Sequence, residues 1–229
     1  MARALLVVTG ADHFTLTDGT QHPTGYWAEE LIELHRGLLA AGHEVDIATP
    51  GGRVPVPDTA SLDLATEVGR ERRAYLDSIA EDLSHPLVLA EVPVGRYDAI
   101  VIPGGHGPMQ DLAFEPALGR LLIDAVDRDA VVAALCHGPA GLLSATRPDG
   151  SFAFAGRRLA AFTDAEEIQG GLADRSPYLL QSRLTELGAQ VEAGAPWSQT
   201  VVVDGRLVSG QNPQSSVATA AAVVDALAS

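Results

Sequence analysis

Short, almost wholly apolar runs, each stopped by small or turn-forming residues and separated by helical patterns, constrain this chain most. Ala4–Val8 (ALLVV) ends at Thr9-Gly10, and Glu44–Ala48 (EVDIA) ends at Pro50-Gly51-Gly52. Tyr97–Ile102 (YDAIVI) runs into Pro103-Gly104-Gly105, and Ala130–Leu135 (AVVAAL) runs into Cys136-His137-Gly138. Runs of this length without polar alternation are strands covered on both faces, as in parallel sheets. Between them, Tyr26–Ala41 places Trp27, Leu31, Leu34 and Leu38 on one helical stripe, and a second helix is expected from Pro116 to Val126. Strand, loop, helix and strand in repetition predict an α/β fold: a doubly wound, mostly parallel sheet with helices on both faces.

The 229 residues suit one domain, 1–229. Residues 53–95 break the rhythm with Val54-Pro55-Val56-Pro57 and a charged helical stretch at 70–82, and are expected to form a small inserted cap. Arg158–Phe162 is a further strand candidate. Ser176-Pro177 reads as the start of a helix ending near Leu187-Gly188. Asp204-Gly205 reads as a hairpin turn, and Pro213–Ala228 as the final helix.

The balance of 15 Lys and Arg against 30 Asp and Glu argues against a nucleic-acid or anionic-membrane partner. The N-terminal apolar run is too short for a signal peptide or a membrane span, so a cytoplasmic location is expected. Seven histidines lie at no zinc-ligand spacing, and no phosphate-binding glycine motif is present, so neither metal nor nucleotide cofactor is expected.

The single cysteine, Cys136, carries the chemistry. Isolated cysteines are commonly small core residues. This one follows a buried strand and precedes His137-Gly138 and a helical Ala140–Ser144, at the carboxyl edge of the sheet where open α/β folds bind ligands. A helix N-terminus there would favour the thiolate.

Glu30 lies about 60° around its helix from Trp27 and about 40° from Leu34, bordering the inward stripe. It is either a solvated flank or a buried carboxyl that burial would keep protonated beside Cys136. Glu167 is either part of a capping box begun by Asp164 or an acid at another strand end. The Gly104-Gly105 backbone and the amide after Cys136 could hold an oxyanion.

Thr24-Gly25 with Glu30, Ile102-Pro103-Gly104-Gly105-His106-Gly107, Cys136-His137-Gly138-Pro139, Phe162-Thr163-Asp164 with Glu167, Pro196-Trp197 and Asp204–Pro213 occur in this order along the chain. Together they resemble the ThiJ/PfpI superfamily, in its branch of glyoxalase III-type proteins and heat-inducible chaperones. The resemblance implies a flavodoxin-like fold and a homodimer. It also implies a nucleophilic Cys136 with His137, Glu30 against the thiol, Glu167 as the acidic partner of His137, and substrate contacts at Gly104, Gly105, His106 and Trp197.

The implied reaction turns a small aldehyde, methylglyoxal, and water into lactate without glutathione, metal or other cofactor. Relatives often have His-Pro where this chain has Glu33-Leu34. No histidine follows His137, which argues against a glutaminase or a cysteine protease with a distal histidine. Other readings of the same motifs are a redox-sensing stress chaperone, and a hydratase, lyase or deglycase with another substrate.

Overall fold

The computed structural model describes residues Met1–Ser229. Its central sheet has seven strands: β1 (Arg3–Val7), β2 (Glu44–Thr49), β3 (Leu87–Val88), β4 (Ala99–Ile102), β5 (Val131–Leu135), β6 (Val201–Asp204) and β7 (Leu207–Gly210). The spatial order is β6-β7-β5-β4-β1-β2-β3. Every neighbouring pair is parallel except the β6-β7 hairpin. This is the mostly parallel, doubly wound sheet that the sequence predicts.

The apolar runs have no polar face because successive side chains enter two different cores. Leu5, Val7, Ile100, Ile102, Val132 and Ala134 pack on one side, against Leu118, Leu121 and Leu122 of the helix Pro116–Asp127. Ala4, Leu6, Val8, Val101, Ala133 and Leu135 pack on the other. There they meet Leu31, Leu34 and Leu38 of helix α1 (Ala28–Ala40) and Val223 of the C-terminal helix Ser216–Ala228. Each fully buried Leu or Val contributes about 1.5–3 kcal/mol. Because β1, β4 and β5 run the same way, Thr9, Gly104-Gly105 and Cys136 emerge at one edge.

Residues 53–95 divide between two tasks. Asp58, Thr59 and Ala60 reach the sheet's carboxyl edge. The helix Glu67–Ser78 and the short helix Ala80–Ser84 put Leu76 and Leu83 into the second core, and Leu87–Val88 extends the sheet as β3. The segment therefore includes the helical crossover between β2 and β3 as well as part of the site wall.

Three local expectations are corrected. Only Arg158–Leu159 of the 158–162 run is a strand, and it pairs with Gln190–Val191 outside the main sheet. Ser176-Pro177 does not open a helix: Tyr178 is anchored by its hydroxyl donating to the Met109 carbonyl (2.9 Å), and the helix spans Leu180–Glu186. The helical stretch after Cys136 starts at Gly138, two residues earlier than expected, and is a 3-10 helix through Ser144. No helix is long and apolar enough to cross a membrane.

Candidate active site

Cys136 leaves β5 with φ +62°, a left-handed conformation that costs a residue with a side chain about 1–3 kcal/mol. Two backbone bonds hold it: its N–H donates to the Gly210 carbonyl (2.9 Å), and its carbonyl accepts from Phe162 N–H (2.8 Å). The bend is possible because Gly138 presses against β4. A Cβ there would lie 2.3 Å from the Ile102 carbonyl oxygen, so the small residue serves a close backbone approach. Gly138→Ala is expected to destabilise the fold by about 3 kcal/mol. An unchanged urea midpoint would refute this account of the elbow.

Glu30, in the first turn of α1, is fully buried, so the inward reading of its helical position is correct. Its Oε2 accepts from Gly104 N–H (2.7 Å). Its Oε1 is buried without a nitrogen or oxygen partner, and the group it meets is the Cys136 thiol. Burial pushes the Glu30 carboxyl up to about 8, against the pull of its hydrogen bonds, which keeps it protonated at neutral pH.

The Cys136 thiol is also pushed well above its ordinary value, first by burial and then by the charge of Glu30 when ionised. The Gly105 and His137 amides work in the opposite direction. This corrects the expectation of a resting thiolate. A short 3-10 helix offers less than one fully aligned α-helical terminus, and desolvation of a buried sulfur outweighs it.

Behind the sulfur lies a chain of imidazoles and carboxylate. Cys136 Sγ is 3.5 Å from His137 Nδ1, and His137 Nε2 is 2.8 Å from Glu167 Oε2. Burial raises the Glu167 carboxyl, but the two adjoining imidazoles more than offset this and hold it well below the usual range. An ionised Glu167 only accepts, so His137 carries its proton on Nε2 and presents a bare Nδ1 to the thiol. Burial, followed by the proximity of His106, lowers His137 to about 4, leaving the ring neutral at pH 7.

The capping box does exist, one residue earlier than expected. Thr163 is the N-cap of the helix Asp164–Gly170, and Glu166 is its reciprocal partner. Glu166 Oε2 accepts from Thr163 N–H (3.0 Å), while its Oε1 accepts from Asn212 Nδ2 (2.8 Å) and Trp197 N–H (2.8 Å). With capping assigned to Glu166, Glu167 is free to turn inward.

Cys136, His137 and Glu167 open on a cavity of about 540 Å³ walled by Trp27, Phe162, Trp197 and Leu172 and edged by Glu29 and Asp58. No Lys or Arg lines it. Gly105 and His106 are on the wall, but Gly104 is not: its amide is spent on Glu30, so it positions the carboxyl and does not line the cavity. Trp197 is 40% exposed, and its indole N–H donates to Gln169 Oε1 (2.6 Å).

Trp27, read as a core residue from its stripe, is a wall residue. Its place at the first turn of a helix beside the sheet edge was the available signal. Asp58, whose Oδ2 accepts from the buried Thr24 hydroxyl (2.7 Å), carries no signal in the sequence. His106, His137 and Glu167 each offer one possible metal-ligand atom within 4.8 Å of the others, a set that sequence spacing does not reveal. The carboxylate already pairs with Nε2 of both rings.

A model of the DJ-1/PfpI family matches residues 24–226. The chain belongs to this family. Glyoxalase 3 of Candida albicans is 27% identical, over 99% of this chain and 98% of its own length. The glutathione-independent glyoxalase hsp3101 of Schizosaccharomyces pombe is 29% identical, over 88% of this chain and 86% of its own. The crystal structure of glyoxalase III from C. albicans superposes with a TM-score of 0.86 at 26% identity, covering 98% of this chain and 97% of that one.

Proposed function

We propose that this protein is a glutathione-independent glyoxalase that converts small 2-oxoaldehydes such as methylglyoxal, with water, into 2-hydroxy acids such as lactate. One observation carries the reading: a lone thiol stands between a bare imidazole nitrogen, 3.5 Å away, and a buried carboxyl that stays protonated at neutral pH. The family relatives named as glyoxalases support the same conclusion.

The reaction begins when His137 Nδ1 takes the thiol proton and Sγ bonds to the aldehyde carbon. The Gly105 and His137 amides, which point toward the sulfur, lie where they can steady the oxygen that becomes negative. The proton on Nδ1 then passes to that oxygen, giving a hemithioacetal and restoring the bare imidazole. His137 next removes the hydrogen from the sulfur-bound carbon, and the electron pair forms the double bond of an enediolate. The hydroxyl proton moves to the neighbouring oxygen, and Nδ1 returns its proton to the second carbon.

The product is a 2-hydroxy thioester, with the first carbon oxidised and the second reduced, so no external electrons are needed. Water then attacks the thioester: its oxygen bonds to the carbonyl carbon, the C–S bond breaks, and a water proton restores the thiol. Glu167 fixes the tautomer of His137 and balances its transient charge. Glu30, as a neutral donor, stabilises the sulfur whenever it is negative.

The direct test is incubation of the purified protein with methylglyoxal in the absence of glutathione. Lactate is expected in equimolar amount to the aldehyde consumed. Consumption without lactate, or none at all, overturns the proposal.

A further inference from the structure

The carboxylate of Glu167 serves two imidazoles. Its Oε2 pairs with His137 Nε2, and its Oε1 with His106 Nε2, each at 2.8 Å. The two rings lie against each other, with centroids 4.0 Å apart and planes tilted by 39°. They differ in access: the His137 side chain is 2% exposed, while that of His106 is 17% exposed and forms part of the cavity wall. In the neutral ring, donation from Nε2 of His106 to the Glu167 carboxylate leaves Nδ1 as the bare nitrogen. That atom has no hydrogen-bond partner in the protein and is not fully buried, on a residue that lines the cavity. The residue also directly follows Gly105, whose amide points at the sulfur.

A second base with this placement matches a step that His137 leaves open. In the isomerisation His137 carries the proton between two carbons. While its Nδ1 holds that proton, another proton has to leave the oxygen on the sulfur-bound carbon and reach the oxygen next to it.

We propose that His106 is a second catalytic acid–base group, whose Nδ1 takes the hydroxyl proton from the first oxygen and delivers it to the second. The step balances, since one O–H bond breaks, one forms, and the imidazole ends as it began. The shared carboxylate suits the division of labour. It holds both rings in the tautomer with Nδ1 toward substrate, and stabilises whichever one is briefly cationic. While His137 holds the carbon proton and His106 relays the hydroxyl proton, the negative charges of Glu167 and of the enediolate offset the repulsion between the two rings. Phe14, stacked on His106 at 6.0 Å, and Phe162, tilted against His137 at 4.2 Å, limit ring rotation.

This inference rests on the glyoxalase reading, and its experiment separates the two. In His106→Gln the amide can still donate to Glu167, but no nitrogen can carry a proton. Lactate formation is expected to fall about 100-fold or more in kcat with KM changed less than threefold. Alkylation of Cys136 by iodoacetamide, which reads the sulfur, His137 and Glu167 without the isomerisation, should remain within threefold of the parent protein. Free imidazole should restore part of the activity of His106→Ala. A kcat within threefold of the parent, or an alkylation rate that falls in step with kcat, overturns the role for His106 while leaving the glyoxalase reading intact. No lactate from the unsubstituted protein overturns both.

Discussion

Cys136→Ala abolishes lactate formation from methylglyoxal, lowering the rate by about 10⁴-fold or more, while the protein stays folded. The size follows from the chemistry: without a covalent bond to the first carbon there is no hemithioacetal, and the remaining amides and imidazoles face an aldehyde with no attached leaving group. The fold survives because Ala keeps the same Cβ at φ +62°, and only one buried sulfur is lost. A small cavity of this kind costs roughly 1 kcal/mol. Lactate assays and thermal unfolding of the two proteins check both halves. Equal rates would remove the covalent mechanism. Suppression of protein aggregation that persists in the variant, with no aldehyde turnover in the parent, would favour the chaperone reading.

Glu30→Gln separates activity from stability in a way that only a functional carboxyl does. The Gln oxygen can still accept from Gly104 N–H, and its amide can donate toward the sulfur, but an amide is a weaker donor than a carboxyl O–H to a developing thiolate. A fall in kcat of about 10²- to 10³-fold is expected.

Stability moves the other way. In the folded protein Glu30 keeps its proton up to about 8, whereas in the unfolded chain it releases it near its ordinary value of 4.5. Between those two points the native state binds more protons, so this residue makes the parent protein less stable as pH rises. The total comes to roughly 5 kcal/mol across the window. Gln has no such dependence. The variant should therefore match the parent near pH 4.5 and exceed it increasingly toward pH 8. Urea midpoints for both proteins at pH 5 and pH 8 measure this, and a difference that stays constant would contradict a buried neutral carboxyl.

Much of the site could be read before folding was considered. The stops after β1, β4 and β5 place Thr9, Gly104-Gly105 and Cys136 at one edge, because parallel strands end together. Glu30 could be singled out by its angle to a stripe of leucines. Other features were not legible. Asp164 and Glu167 have the right spacing for a capping box, but so do Thr163 and Glu166, and the choice falls to the pair whose second member also meets Asn212 and Trp197 N–H. Nothing near His106 in the chain indicates that it shares a carboxylate with His137.

What the sequence determined by itself is local: hydrophobic periodicity set the strands and helices, glycines and prolines set where they stop, and both follow from interactions between residues a few positions apart. The tertiary structure alone decided which side chains meet and which protons they hold. His106 and His137 each join Glu167 across some thirty to sixty intervening positions, and Glu30 reaches Cys136 across more than a hundred. Desolvation and Coulomb attraction depend on depth and distance in space. A thiol written in the sequence as a nucleophile at a helix start therefore rests protonated, with its activation left to the neighbours that folding brings around it.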